Sequence, residues 1–100
     1  MVHHIILWKL DDTKSTEELA KIKSDIKMGL ESLKGRIPGL QSIKVNINGL
    51  ASSNCDLMLD SVFADEESLK GYSIHPEHVK IADTYVRPFT KVRMCLDYED

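Results

Sequence analysis

Two periods run through the pattern of apolar and polar residues in this chain. Leu19, Ile22, Ile26, Leu30, Leu33 and Ile37 recur at spacings of three and four, with Lys21, Lys23, Lys27 and Glu31 between them, and this predicts a helix with one apolar stripe. Ser15 and Glu18 hold the spacing of a capping box at its start, where each side chain satisfies the other residue's free backbone N–H. Gly35 suits the left-handed position past a helix end, and Pro38-Gly39 turns the chain onward. Elsewhere the period is two, and residues 2–10, 40–48, 56–63 and 89–98 read as strands.

The four strands differ in how many faces they hide. Ile43, Val45 and Ile47 alternate with Lys44, Asn46 and Asn48 in the second, and Val92, Met94, Leu96 and Tyr98 alternate with Lys91, Arg93, Cys95 and Asp97 in the fourth, so each of these has one wet face. The first runs Ile5-Ile6-Leu7-Trp8 without interruption. The third sets Leu57, Leu59 and Phe63 against Met58 and Val62, so these two are covered on both faces. Between the third and fourth, Asp65 suits the N-cap of a short helix carrying Leu69 and Tyr72, and Pro76 suits the first turn of another. The order strand, helix, strand, strand, helix, strand is that of an α+β, ferredoxin-like βαββαβ fold. Its antiparallel four-stranded sheet has order 4-1-3-2, with the two-sided strands in the middle. Helices cover only one face of such a sheet, so the apolar residues on the other face call for a second layer, most simply another protomer's sheet. A homodimer is the expected assembly.

Composition narrows the partners. The 100 residues make one domain, 1–100, and a net charge of −3 with 42% apolar residues makes nucleic acid an unexpected partner. No stretch is long and apolar enough for a membrane span, and the start lacks a signal peptide's features, so the cytoplasm is the expected location and no membrane partner is foreseen. Cys55 and Cys95 hold no metal-ligand spacing and are expected to remain thiols. His75 and His78 are three apart without a third ligand, so no metal is expected, and no cofactor motif occurs.

The densest run of reactive side chains is Tyr72-Ser-Ile-His75-Pro76-Glu-His78. A histidine exchanges protons near neutral pH and a tyrosine hydroxyl polarises a carbonyl oxygen, so the pair suits proton transfer beside a carbonyl. His4 shares a strand face with Ile6, Trp8 and Leu10 and is placed to join them. The competing reading is structural. His78 starts a helical stripe with Ile81, Ala82 and Tyr85, where a histidine serves as a hydrogen-bonded core residue, and His75 before a proline is placed to cap the following helix.

The start His-Ile-Ile-Leu-Trp-Lys-Leu, the central Ile-Pro-Gly-Leu, the run 63–69, the segment 72–78 and the closing strand 92–98 together resemble the stress-responsive A/B barrel domain family over nearly the whole chain. The resemblance implies a ferredoxin-like protomer pairing as a dimeric α+β barrel. Most bacterial members of that family have no assigned activity, whereas plant members include stress-stable proteins and a polyketide cyclase. In the cyclase a tyrosine and a histidine drive an aldol cyclisation, and those positions fall on Tyr72 and His78, with a further pocket histidine on His4. Another pocket histidine falls on Leu57, and Trp8 stands where a smaller residue would leave room. Both departures argue against the cyclase's substrate. The favoured reading is therefore a protein of unassigned activity that binds a small apolar or aromatic ligand, or acts structurally, with Ile6, Trp8, Ile26, Leu30, Leu57 and His75 about the ligand. The alternative is a cofactor-free enzyme, cyclase-like or monooxygenase-like, using His78, Tyr72 and His4 on a carbonyl substrate; whether the chain is an enzyme stays open at this point.

Overall fold

A computed structural model describes residues 1–100. β1 (Val2–Leu10) leads to α1 (Thr16–Glu31), β2 (Leu40–Asn46), β3 (Leu57–Phe63), α2 (Glu66–Ile74), α3 (Pro76–Ile81) and β4 (Thr90–Glu99), with one π-helical turn over Ala82–Val86 and a 3-10 turn over Arg87–Phe89 before the last strand. The sheet order is β2-β3-β1-β4, with every neighbouring pair antiparallel. This is the expected ferredoxin-like order, and the two strands read as two-sided are the central ones.

Local chemistry sets the boundaries. The Ser15 hydroxyl accepts the Glu18 N–H at 3.1 Å while the Glu18 carboxylate accepts the Ser15 N–H at 3.2 Å, closing the capping box of α1. α1 buries Ile22, Ile26 and Leu30, and its stripe continues past the helix in Leu33 and Ile37, which turns hold in the same core. Gly35 and Gly39 both take positive φ. At Gly39 a Cβ would stand 2.0 Å from the Ser68 hydroxyl, so the turn into β2 lies directly against the start of α2 and only glycine fits. β3 begins at Leu57 rather than at residue 56 because Asp56 is used otherwise: its carboxylate accepts the Leu10 N–H at 2.8 Å and its own N–H reaches the Trp8 carbonyl at 2.9 Å. Asp65 caps α2 through the Ser68 N–H at 2.8 Å.

The helices lie on one face of the sheet, over β2, β3 and β1, and there Val2, His4, Ile6, Trp8 and Leu10 of β1 are buried beside Leu57, Leu59, Ser61 and Phe63 of β3. The fourth strand departs from the expectation of one wet face, since both of its faces are exposed. Arg93, Cys95 and Asp97 pair with Trp8, Ile6 and His4 and so stand on the helix side, at an edge the helices leave open. Val92, Met94, Leu96 and Tyr98 stand on the open side with Ile5, Leu7, Met58 and Val62, and Met94 and Leu96 are 63% and 65% exposed. The stripe expected from His78 through Tyr85 is also altered: the π turn adds a residue to the helical repeat, so Ala82 and Val86 face the core and Tyr85 is exposed. No helix is long and apolar enough to cross a membrane.

Candidate active site

Four elements converge where β1 passes under the second helical layer. β1 presents His4, Ile6 and Trp8, α2 presents Tyr72, α3 presents His78, and the π turn presents Ala82 and Val86. They enclose a cavity of about 170 Å³, with Leu30 on its apolar side and the exposed Arg87 and Arg93 on its solvent side. A larger open groove of about 540 Å³ lies between α1 and α3 beside Met28 and Tyr85, but it holds no histidine, no cysteine and no unpartnered buried polar atom.

The cavity's polar atoms are unusual. The Tyr72 hydroxyl and His78 Nδ1 are both buried and neither has a hydrogen-bond partner, although Tyr72 is 1% exposed and its ring lies 4.1 Å from that of His78. Leaving such an atom unsatisfied costs about 1–3 kcal/mol. Their environments push the two groups in opposite directions. Burial drives the Tyr72 hydroxyl far above the ordinary tyrosine range, with Arg93 opposing weakly, so the hydroxyl keeps its proton. Burial lowers His78 first; the Ser73 carbonyl, accepting from the protonated ring, works against this, while Arg87, His4 and Arg93 lower it further. The ring is thus neutral at neutral pH. Nδ1 is buried and accepts from no protein donor. The cavity is therefore lined by a tyrosine that keeps its proton and a neutral imidazole, and neither has spent its buried polar atom on a protein partner.

His4 is held from two sides. Its backbone carbonyl accepts the buried Ser61 hydroxyl at 3.0 Å, and its Nδ1 hydrogen-bonds to the Asp97 carboxylate, which fixes the proton on Nδ1 and leaves Nε2 as the acceptor. Its ring stands edge-on to Tyr72 with centroids 5.9 Å apart. Cys95 joins on the β4 side, with Sγ 3.9 Å from His4 Nδ1 and 3.4 Å from the Asp97 carboxylate. Burial and the neighbouring Asp97 charge hold the Cys95 thiol above its ordinary value. The ligand atoms of His4, Cys95 and Asp97 all lie within 4.8 Å of one another.

Of the residues singled out in the sequence, His78, Tyr72, His4, Ile6, Trp8 and Leu30 all border this cavity. Ile26 does not: it is fully buried in the core beneath α1. Leu57 does not either, being packed in the core on the strand position opposite Trp8. His75 is turned away and caps α3, its Nδ1 accepting the Glu77 N–H at 3.2 Å. Arg87, Arg93, Cys95 and Asp97 escaped the sequence reading. The signal for the last three was the polar set of β4, which becomes informative only once the register places Asp97 against His4, while Arg87 lies in the turn before that strand.

The family model for the stress responsive A/B barrel domain matches residues 2–100. No curated protein matches the sequence. Among solved structures, a dimeric protein of unknown function with a ferredoxin-like fold from Bacteroides fragilis is 31% identical, with a TM-score of 0.92 over 99% of this chain and 95% of that one. A Dabb family protein with a ferredoxin-like fold from Mesorhizobium loti is 18% identical, with a TM-score of 0.75 over 99% of this chain and 95% of that one. A hydroxynitrile lyase from Passiflora edulis is 17% identical, with a TM-score of 0.71 over 97% of this chain and 90% of that one.

Proposed function

This chain belongs to the stress responsive A/B barrel domain family, and on that premise we propose that it forms a homodimer whose protomers each carry an acid–base pocket for a small carbonyl compound. The observation that carries the catalytic reading is that two residues lining the cavity, Tyr72 and His78, each keep a buried polar atom without a partner, the hydroxyl and Nδ1. A core histidine and tyrosine kept only for packing would be expected to satisfy each other or a backbone group. Here both are left for a ligand, which moves the weight from the binding or structural reading to the enzyme.

The chemistry follows from the protonation states. His78 Nδ1 takes a proton from the carbon next to the carbonyl, and the bonding pair of that C–H bond becomes the enolate. The Tyr72 O–H donates to the enolate oxygen, where negative charge develops. Return of a proton from His78 to the same carbon regenerates the carbonyl compound and completes one α-proton exchange, and the same enolate serves a carbon–carbon bond-forming step by attacking an electrophilic carbon. His4, oriented by Asp97, presents Nε2 as a second acceptor. The volume of about 170 Å³ limits the reacting part of the substrate to about one ring, since a cavity of ~150 Å³ takes a benzene. Trp8 supplies much of that limit. Arg87 and Arg93 on the solvent side favour a substrate bearing a carboxylate or phenolate.

The dimer reading rests on the open sheet face, where Met94 and Leu96 are exposed beside Ile5 and Leu7, and the Bacteroides fragilis relative is itself dimeric.

A screen of small ketones and keto acids for α-deuterium exchange tests the reaction. Exchange by the parent protein that falls at least 100-fold in His78→Gln is expected. Exchange undiminished in that variant, or no exchange with any compound in the screen, returns the cavity to a binding role.

A further inference from the structure

The β1–β4 edge holds a second constellation, independent of the acid–base pair. In the register of the two strands His4 faces Asp97, and Cys95 stands two residues before Asp97 on the same face, so imidazole, thiol and carboxylate project from neighbouring rungs of one hydrogen-bonded ladder. A site built on paired strands is held more firmly than one on loops. Tetrahedral zinc bonds place a sulfur about 3.6 Å from a nitrogen or oxygen ligand. Cys95 Sγ lies 3.9 Å from His4 Nδ1 and 3.4 Å from the Asp97 carboxylate, on either side of that value, while His4 Nδ1 and the Asp97 carboxylate are in direct hydrogen-bond contact and must part to admit an ion between them.

We propose that His4, Cys95 and Asp97 form a binding site for a borderline-soft divalent cation, with zinc as the type. Thiolate and carboxylate supply two negative charges against a dication, and a sulfur ligand selects against magnesium and calcium. The proton now joining His4 to Asp97 and the thiol proton of Cys95 both leave on binding. Neither cysteine is in a disulfide, and Asp97 forms an ion pair with no side chain other than His4, so nothing else in the fold consumes these ligands. Cys95 and Asp97 are exposed, which gives the ion a route in and a fourth position open to water. Arg93, the neighbouring cation, is exposed and free to turn its charge into solvent. The ion binds through His4 Nδ1, the nitrogen directed away from the acid–base role, so this site stands whether or not the cavity turns over a substrate.

The test uses the full-length protein after chelator treatment, titrated with Zn²⁺ by calorimetry and with Co²⁺ by absorbance, where thiolate ligation gives a near-ultraviolet charge-transfer band. One ion per protomer is expected, with a raised melting temperature. Cys95→Ser and Asp97→Asn should each weaken Zn²⁺ binding at least tenfold, with loss of the Co²⁺ band in Cys95→Ser and no change in His3→Ala. Absence of saturable binding overturns the proposal. So does binding that Cys95→Ser leaves undiminished, or that His3→Ala weakens as much.

Discussion

Where α1 crosses β2, Ile26, Leu33 and Val45 are fully buried in one apolar cluster, and at its margin the Val45 carbonyl accepts from Lys27 at 2.7 Å and the Val45 N–H donates to the Glu31 carboxylate at 2.9 Å. Across the same sheet face, beneath α2 and α3, a tyrosine hydroxyl and an imidazole nitrogen lie buried without partners around unfilled space. The two regions share one sheet and one helix layer. The first shows that this chain is able to pack and satisfy its interior, so the second is not explained by a generally loose fold. A local breach of a rule that the rest of the molecule keeps marks a place selected for something other than stability.

The sharpest way to break that contrast is to cut both regions. Ile26→Ala is expected to cost about 2–5 kcal/mol in denaturant unfolding, because the methylene groups removed leave a cavity in a fully packed site. A cost below ~1 kcal/mol would mean that the α1 region is as forgiving as the cavity. On the opposite sheet face, Leu96→Glu should raise the dimer dissociation constant at least tenfold in sedimentation or light scattering, equivalent to about 1.4 kcal/mol. An unaltered dimer would move the interface elsewhere.

Tyr72→Phe should do the reverse of Ile26→Ala, leaving stability unchanged or raising it by about 1 kcal/mol, since it removes a buried hydroxyl that has no partner. A loss of ~1 kcal/mol or more would show that the hydroxyl is satisfied in solution and erase the contrast. The smallest effect is one of pH. The folded-state pKa of His78 is depressed, so the unfolded chain binds a proton that the folded ring refuses. Its contribution is complete above the ordinary imidazole value of about 6.5 and is lost as pH falls through that value toward the folded pKa. His78→Asn should flatten this part of the stability profile, and an unchanged slope would place the ring in contact with water.

Much of the fold was readable because it rests on short-range rules. Ser15 with Glu18, Asp65, Gly35 and Pro76 acted through neighbours in sequence, and the two-sided character of the first and third strands placed them in the centre of the sheet. The Tyr72–His78 pair was visible for the same reason, being spaced so that two consecutive helices bring the rings together. What could not be read depended on register and on where helices stop. His4 meets Asp97 across nearly the whole chain, and only the ladder fixes that pairing. The π turn, which buries Val86 and exposes Tyr85, has no local signature that separates it from an ordinary helical turn. Leu57 and Ile26 look like lining residues by pattern, because a stripe or strand face does not say which part of it borders a void.

The pairing of Val2 with Glu99 also bears on how the protein is made. β1 emerges from the ribosome before the other three strands but gains its second strand partner only when residues 90–99 have cleared the exit tunnel. Until then one edge of a strongly apolar strand is bare, even if β3 has already docked on the other. Completion of the sheet therefore waits on the last strand of the domain, and the interval before β4 docks is when this apolar edge is most open to wrong pairing.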